Sequence, residues 1–414
     1  MIIWLVNPYG PLPSEGWRDY SFITFGKTLA AAGHEVIWWT SNFSHHFKIH
    51  RSPGWRDDPI VDGFTVRLVP TPSYSKNVGV GRIWRDFVFA ARTYDAGKKL
   101  PAPDAILFSE NPLTMGYAGY ALAKRHNAAA IFDQMDLWPE LIVNAFPSWS
   151  RRIVNRIFWP VYLRRRWVFN RLDGVIALAQ PYLRSVMNEI EAEKNSLPHQ
   201  IIYNGIDVAD FRKSMGGTLD KTISAVFDGD GINAVFAGSL GPSYDMLNLI
   251  SVAQRLDAEK KSVRIFVAGD GPLRSEVIAA ASDLDNFTYL GVLPPTELPK
   301  IYKMCDIGLS CYTEKSNVEM PDKYYDYTAA GLAIVNSLTG EVSRWIETDQ
   351  SGVQYTPGDA DSLYTAIVSL AEDPAKLCAA KKASAESGLR YDSVAQHAVL
   401  PNFLVSIVAK RNRV

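Results

Sequence analysis

The stretch EMPDKYYDYTAAGLAIVNS, residues 319 to 337, sets carboxylates and a lysine among tyrosines, ahead of a small-residue turn and an apolar run. Three other places carry small residues where a backbone can approach an anion: Ser14-Glu15-Gly16, Gly238-Ser239 and Gly269-Asp270-Gly271-Pro272. Glycine exposes backbone N–H groups, and a following helix adds the positive end of its dipole, so phosphate is the obvious guest. Each loop also has a purely structural reading, a tight turn after a strand. IFDQMDLWPE adds Asp133 and Asp136. After the first apolar run the chain reads NPYGPLPSEGW, which is not the dinucleotide G-x-G-x-x-G, and no G-x-x-x-x-G-K-[ST] loop occurs. Both absences disfavour an oxidoreductase or a P-loop nucleotidase. The seven histidines show no dyad or ligand spacing, and Cys305, Cys311 and Cys378 show no paired metal spacing. A metal site is not expected, and so few cysteines point to a reducing compartment.

The elements that position these residues follow from periodicity. Apolar, β-branched runs recur at 2–6, 35–40, 65–70, 104–109, 129–134, 174–179 and 200–204, and again at 233–238, 263–269, 287–291, 306–312 and 332–337. Helical patterns separate most of them. Strands apolar nearly throughout, alternating with helices, predict buried parallel sheets. The restart predicts an α/β protein of two doubly wound Rossmann-like domains, as 414 residues also require. Asn204-Gly205 marks the seam, giving domains 1–205 and 206–391, with a C-terminal helix in 392–414 expected to return to the first. The net charge of −1 conceals +6 over residues 1–214 and −7 over 215–414. Without a basic leader ahead of MIIWLVNPYG or an apolar run of membrane-spanning length, a cytoplasmic location is expected.

The ordered segments LAAAGHEVIWWT, DLWPEL, IIYNGIDVADF, VFAGSLG, VAGDGPLRSEV, DIGLSC, MPDKYYDYTAAGLAIVNS and GVQYTPGDADSLYTAI resemble the retaining glycosyltransferases of family 4. The form of MPDKYYDYTAAG, with DLWPE in the first half, is most similar to the subgroup that builds bacterial surface polysaccharides. The resemblance implies a GT-B fold, two domains facing each other across a cleft. It implies transfer of a sugar from a nucleotide diphosphate sugar to a hydroxyl of a polyprenyl-diphosphate-linked glycan, with no cofactor beyond the donor. UDP and GDP are not distinguished. By resemblance Asp326, five before Gly331, holds the ribose hydroxyls, a task suited to a carboxylate that accepts two hydrogen bonds. The Ala329-Ala330-Gly331 turn is expected to bring a helix start near the nucleotide; its plainer reading is a helix end before a buried strand. The family often has a second carboxylate eight before Asp326, where this chain has Val318, with Glu319 one place late. Relatives also neutralise the diphosphate with cations after the second domain's first strand, but this loop reads GSLGPSYDM. A leaving diphosphate needs positive charge, and Lys323 is the best placed cation, assisted by backbone near Ser239 and by Arg18. The expected donor contacts are Gly16, Arg18, Gly238, Ser239, Gly269, Gly271, Leu293, Lys323 and Asp326. Asp136, Glu319 and Lys323 are the catalytic candidates, with Asp136 alternatively a helix N-cap, in a metal-independent reaction. A GT-B nucleotide-sugar 2-epimerase and a non-catalytic nucleotide-sugar-binding protein are the alternatives.

WSRRIVNRIFWPVYLRRRWVFNR, residues 149–171, carries seven arginines and no acidic residue. Ahead of Pro160, Ile153, Val154, Ile157 and Phe158 share one helical face and Arg151, Arg152 and Arg156 the other; a kink is expected at Pro160. Arg152, Arg156, Trp159, Arg164, Arg165 and Arg166 are read as a face for an anionic membrane or the lipid-linked acceptor. The alternative is a core helix with snorkelling arginines. Without overall basic charge or a stacking platform, nucleic acid is not an expected partner.

Overall fold

The computed structural model describes residues 1–413 apart from 17, 77–78, 110–114, 145, 192–196 and 317. The chain divides into two compact units, Met1–Tyr203 with Val394–Val414, and Asn204–Ser393.

Unit 1 is built on β1 (Ile2–Val6), β2 (Glu35–Ser41), β3 (Arg56–Val61), β4 (Phe64–Val69), β5 (Ala105–Ser109), β6 (Ala129–Gln134), β7 (Gly174–Ala177) and β8 (His199–Ile201). They lie in the order β3-β4-β2-β1-β5-β6-β7-β8. All pair in parallel except β3 with β4, a hairpin at the edge. Every residue of β5 and β6 is buried, as expected where helices cover both faces of a parallel sheet. Helix Ser21–Ala31 lays Phe22, Ile23, Phe25 and Leu29 on the sheet. Leu400, Leu404 and Ile407 of the C-terminal helix Leu400–Arg411 join the same core as Ile3, Ile131 and Ile176. Each such side chain contributes about 1.5–3 kcal/mol before conformational entropy is set against it.

Unit 2 is built on β9 (Ile232–Ala237), β10 (Val263–Ala268), β11 (Phe287–Gly291), β12 (Ile307–Ser310), β13 (Ala333–Asn336) and β14 (Gly352–Gln354), in the order β11-β10-β9-β12-β13-β14. All pairings here are parallel. Its core includes Leu249, Val252 and Leu256 of helix Met246–Ala258 and Leu363 and Ile367 of helix Ala360–Ala371, against Phe236, Ile265 and Leu309.

Strand order reverses between β1 and β5 in unit 1, and between β9 and β12 in unit 2. Ligands of open parallel sheets bind beyond the carboxyl ends of the strands at such points. Among the described residues no helix is long and apolar enough to cross a membrane.

Candidate functional site

Helix Asp322–Ala330 follows β12 at the reversal point of unit 2 and carries Lys323 and Asp326. Pro321, with extended φ and ψ, precedes its first turn, and Asp322 lies at the positive end of the helix dipole. Gly331, at φ 72°, closes the other end, its N–H donating to the carbonyls of Tyr327 and Thr328. This left-handed cap is what requires glycine. The Ala-Ala-Gly turn therefore ends the helix ahead of β13, and the expectation that it begins a helix beside the nucleotide is corrected. Tyr327 seats the helix on the sheet, its hydroxyl donating to the carbonyls of Val235 and Leu309 at 3.3 and 3.2 Å. A Cβ at Gly308 would come within 2.4 Å of the Tyr327 ring, so glycine in β12 permits this close seating.

That seating buries Lys323, which is 6% exposed. Its Nζ lies 4.0 Å from the centre of the Tyr244 ring, 4.3 Å from Phe236 and 5.4 Å from Tyr312. No hydrogen bond or ion pair holds it among the described residues. Burial draws its pKa from 10.5 down to about 7, against the opposing pull of Cys311, Asp326 and Asp322. A Cβ at Gly238 would stand 2.5 Å from Nζ, so the loop leaving β9 passes directly over the amine. Asp326, 9% exposed, lies one turn further along the helix.

The glycine loops serve each other first. The Gly238 N–H donates to the Ala268 carbonyl at 2.9 Å and the Gly269 N–H to the Gly291 carbonyl at 2.8 Å. A Cβ on Gly269 would fall 1.7 Å from the Gly238 carbonyl oxygen, and one on Gly271 would fall 2.6 Å from that of Leu240. Glycine is needed here for backbone to pack on backbone. The expectation that the N–H groups of Gly238 and Gly269 point at an anion is corrected, since both are already bonded. Ser239 is exposed beside them, and Leu293 is half-buried in the loop after β11. Glu319 accepts the Glu341 N–H at 3.2 Å, at the start of helix Glu341–Asp349, so one of its oxygens has a structural task.

In unit 1, Gly16 follows the short turn Pro13–Glu15 after β1 at φ 69°, with Arg18 exposed beyond it. Arg51 braces this loop: its Nε and Nη2 meet the two oxygens of Glu15 at 3.0 and 2.7 Å, and Nη2 also donates to the Gly10 carbonyl. Despite burial, these bonds hold the Glu15 carboxyl below its ordinary pKa. Asp133, next to last in β6, is fully buried with no hydrogen-bond partner for either oxygen, and burial, then the charge of Asp136, pushes its pKa up to about 8. Asp136 is half-buried, and its carbonyl accepts from the Gln134 side chain. The next helix, Glu140–Asn144, starts with the Ile142 and Val143 N–H groups donating to the Pro139 carbonyl, so Asp136 is not its N-cap.

Comparison with known proteins matches residues 20–210 to the family described as Glycosyltransferase Family 4 and residues 231–373 to Glycosyl transferases group 1. The chain belongs to the family 4 glycosyltransferases. Solved structures of similar fold span nearly the whole of this glycosyltransferase. HepE of Anabaena, crystallised with UDP, is 15% identical with a TM-score of 0.65, over 98% of this chain and 99% of its own. Sucrose-phosphate synthase from Thermosynechococcus elongatus is 14% identical with a TM-score of 0.72, over 99% of each chain. WaaG, a glycosyltransferase involved in lipopolysaccharide biosynthesis, is 15% identical with a TM-score of 0.63, over 98% and 99%. The fold is thus the two-domain, Rossmann-like GT-B fold. Among curated relatives, the chitobiosyldiphosphodolichol beta-mannosyltransferase of Kluyveromyces lactis is 22% identical over 126 residues, 29% of this chain and 27% of that protein. That of Candida glabrata is 22% identical over 150 residues, 35% of this chain and 33% of that protein. The match therefore spans a third or less of those relatives.

Within the glycosyltransferase, the arginine-rich segment forms two helices, Arg151–Ile157 and Trp159–Phe169, joined at Phe158 beside Pro160. Val154 is buried, but Ile153, Ile157 and Trp159 are 61%, 69% and 60% exposed. Arg152, Arg156, Arg164 and Arg166 are exposed with them, so the first helix is not a core helix. Arg165 departs from the expectation: it is buried and reaches both Glu140 oxygens at 2.8 Å, the Glu189 carboxylate and the Trp138 carbonyl. It cannot face a membrane or an acceptor, because its donors tie the DLWPE loop to the helix. Lys323 and the Gly238 loop are brought together, while Arg18 and Asp136 belong to the other unit. The aromatic surround of Lys323 and the Arg51 brace were missed from sequence. The first is assembled from three separate segments and left no local signal.

Proposed function

We propose that this protein is a retaining, metal-independent glycosyltransferase that moves a sugar from a nucleotide diphosphate sugar to a hydroxyl of a polyprenyl-diphosphate-linked glycan in surface polysaccharide assembly. The observation that carries the reading is Lys323, a buried lysine without an ion pair under the Gly238 loop at the reversal point of unit 2. As the bond from the sugar to the diphosphate breaks, negative charge gathers on the departing oxygen. A protonated lysine in a water-poor site stabilises that charge far more than it would in water. In the proposed step the acceptor oxygen bonds to the sugar on the face the diphosphate leaves, and the departing phosphate takes the hydroxyl proton. Asp326 holds the ribose. Gly16, Arg18, Gly238, Ser239, Gly269, Gly271 and Leu293 line the donor's path, by side chain or by loop shape. Asp136 and the second oxygen of Glu319 orient sugar or acceptor. No cofactor is required beyond the donor.

The acceptor class draws support from the curated relatives, whose names describe transfer onto a diphosphodolichol-linked sugar. The peripheral location at the anionic inner face of a membrane draws on the exposed Trp149, Ile153, Ile157 and Trp159 beside exposed arginines. A screen of UDP- and GDP-sugars by thermal shift, followed by transfer to a prenyl-diphosphate sugar, tests the reading. A donor at a hundred times its Kd adds about 2.7 kcal/mol of stability. A folded protein that no nucleotide sugar stabilises or reacts with would refute it.

A further inference from the structure

A cleft of about 670 Å³ opens in unit 1 beyond the carboxyl ends of β2 and β4, apart from the donor and catalytic residues assigned above. Its volume lies within the roughly 300–1,000 Å³ of small-molecule sites. The floor is fixed by Asn42. Its N–H donates to the Val69 carbonyl, and its side chain accepts the Thr71 N–H at 2.8 Å and donates to the Ser52 carbonyl at 2.9 Å. Asn42, Ser52 and Thr71 are all buried. Pro53, Pro70 and Pro72 wall the cleft with rigid apolar rings. Arg51 forms another side, and its bonds to Glu15 and to the Gly10 carbonyl tie the cleft to the loop after β1.

Two groups that line the cleft are held in place yet keep polar atoms unused. Arg92, on helix Val80–Gly97, donates from Nη1 to the Pro70 carbonyl at 2.8 Å, and among the described residues it has no other hydrogen bond and no ion pair. Fixing an arginine costs rotamer freedom, which one carbonyl bond alone does little to offset. The contact leaves the Nε–Nη2 edge of the guanidinium open. That edge takes a carboxylate elsewhere in this chain: Arg51 holds Glu15 through Nε and Nη2, and Arg67 holds Asp57 through the same two atoms at 2.8 and 2.6 Å. Two parallel N–H groups match the two oxygens of a carboxylate. His50 is fixed by a backbone bridge to Phe43 and by the Phe43 ring 5.2 Å away, and neither of its ring nitrogens has a hydrogen-bond partner among the described residues. No acidic side chain is among the described lining residues, and Glu15 behind Arg51 is already paired, so the lining does not oppose an anionic guest.

We infer that this cleft is a subsite for a carboxylate-bearing sugar, in which the Nε–Nη2 edge of Arg92 pairs with the carboxylate, His50 bonds a neighbouring hydroxyl, and the proline rings cover the apolar face of the pyranose. The inference rests on the glycosyltransferase reading and narrows its acceptor to a glycan that carries a uronic acid residue. A neutral sugar leaves the guanidinium edge unpaired, so selection here is by charge and by the planar shape of the carboxylate.

Saturation-transfer NMR on the full chain, with amide hydrogen exchange to locate the contact, provides the test. Glucuronate is expected to receive saturation and to slow exchange over residues 49–52 at a concentration about tenfold or more below that of glucose, the difference of one charged hydrogen bond. In Arg92→Gln the glucuronate concentration needed should rise by a similar factor, while that of glucose stays unchanged. Arg92→Lys should behave like Arg92→Gln, because lysine keeps the charge and loses the paired edge. Arg92 and His50 are exposed, and thermal unfolding checks that each variant, His50→Gln included, is folded. Equal responses to glucose and glucuronate, or an unchanged glucuronate concentration in the folded Arg92 variants, would overturn the subsite. Acetate as effective as glucuronate would overturn the sugar, and glucose 6-phosphate effective at a lower concentration would overturn the carboxylate. Nucleotide-sugar binding, read by thermal shift, separates the two claims. If it persists where glucuronate fails, only the subsite falls, whereas loss of donor binding as well would remove the glycosyltransferase reading itself.

Discussion

Replacing Lys323 with methionine isolates the energetics of one buried amine. The native pKa is about 7 against 10.5 for an ordinary lysine, so between those values the unfolded chain binds more protons than the folded one. The unfolding free energy therefore rises with pH through this window, and the stability gained is absent below pH 7. The whole drop is worth roughly 5 kcal/mol, of which about 2 kcal/mol accrues between pH 7 and 9. Methionine matches the length, fills the aromatic surround and does not titrate. The variant should be the more stable protein at pH 7, with its advantage shrinking by about 2 kcal/mol at pH 9. Urea unfolding of unit 2 can be followed by brief thiol labelling of Cys305 and Cys311, both buried, which avoids assuming that the two units unfold together. An advantage that stays flat across this range would refute the claim that the rings desolvate Lys323, and with it the argument for a lysine poised to gain charge beside a phosphate.

Asp326→Ala should weaken nucleotide binding by about 1.5–3 kcal/mol, read by calorimetry on the folded variant; unchanged affinity would remove Asp326 from the ribose. Arg164→Gln with Arg166→Gln should lose about 2 kcal/mol of binding to anionic vesicles, roughly thirtyfold, and the effect should fade as salt rises. Arg165 is excluded from that test because its loss would break a buried ion-pair network. Asp133 binds its proton in the folded state up to about pH 8 against 3.8 when unfolded, so it removes stability as pH rises, by about 1.4 kcal/mol per pH unit between pH 5 and 7. Asp133→Asn should abolish that slope in unit 1, and an unchanged slope would show that the carboxyl is not held protonated.

What the sequence made legible was what local pattern determines. Apolar runs as continuous as AILFS and VRIFVA have both faces covered, so their periodicity announced buried parallel strands. β3 escaped because RDDPIV is charged, holds a proline and lies at an edge, where only β4 supports it. Its signal was the Asp62-Gly63 turn, with Gly63 at φ 77°, a hairpin pattern. The cross-strand pair Asp57 and Arg67, 2.6 Å apart, then secures the hairpin. The glycines of the phosphate-like loops were visible as requirements, but their reason was not, because loop packing on loop depends on two strands distant in sequence. Arg165 was indistinguishable from Arg164 and Arg166, since its burial is decided by Glu140 and Glu189, 25 and 24 residues away.

Arg165 also makes a mechanical link. Through it, helix Trp159–Phe169, with Trp159 exposed at its start, is fastened to the residues immediately after Asp136. Because the guanidinium is bonded to both Glu140 oxygens and to the Glu189 carboxylate, that helix cannot shift against the strand-end loop without breaking charged hydrogen bonds, at about 1.5–3 kcal/mol each.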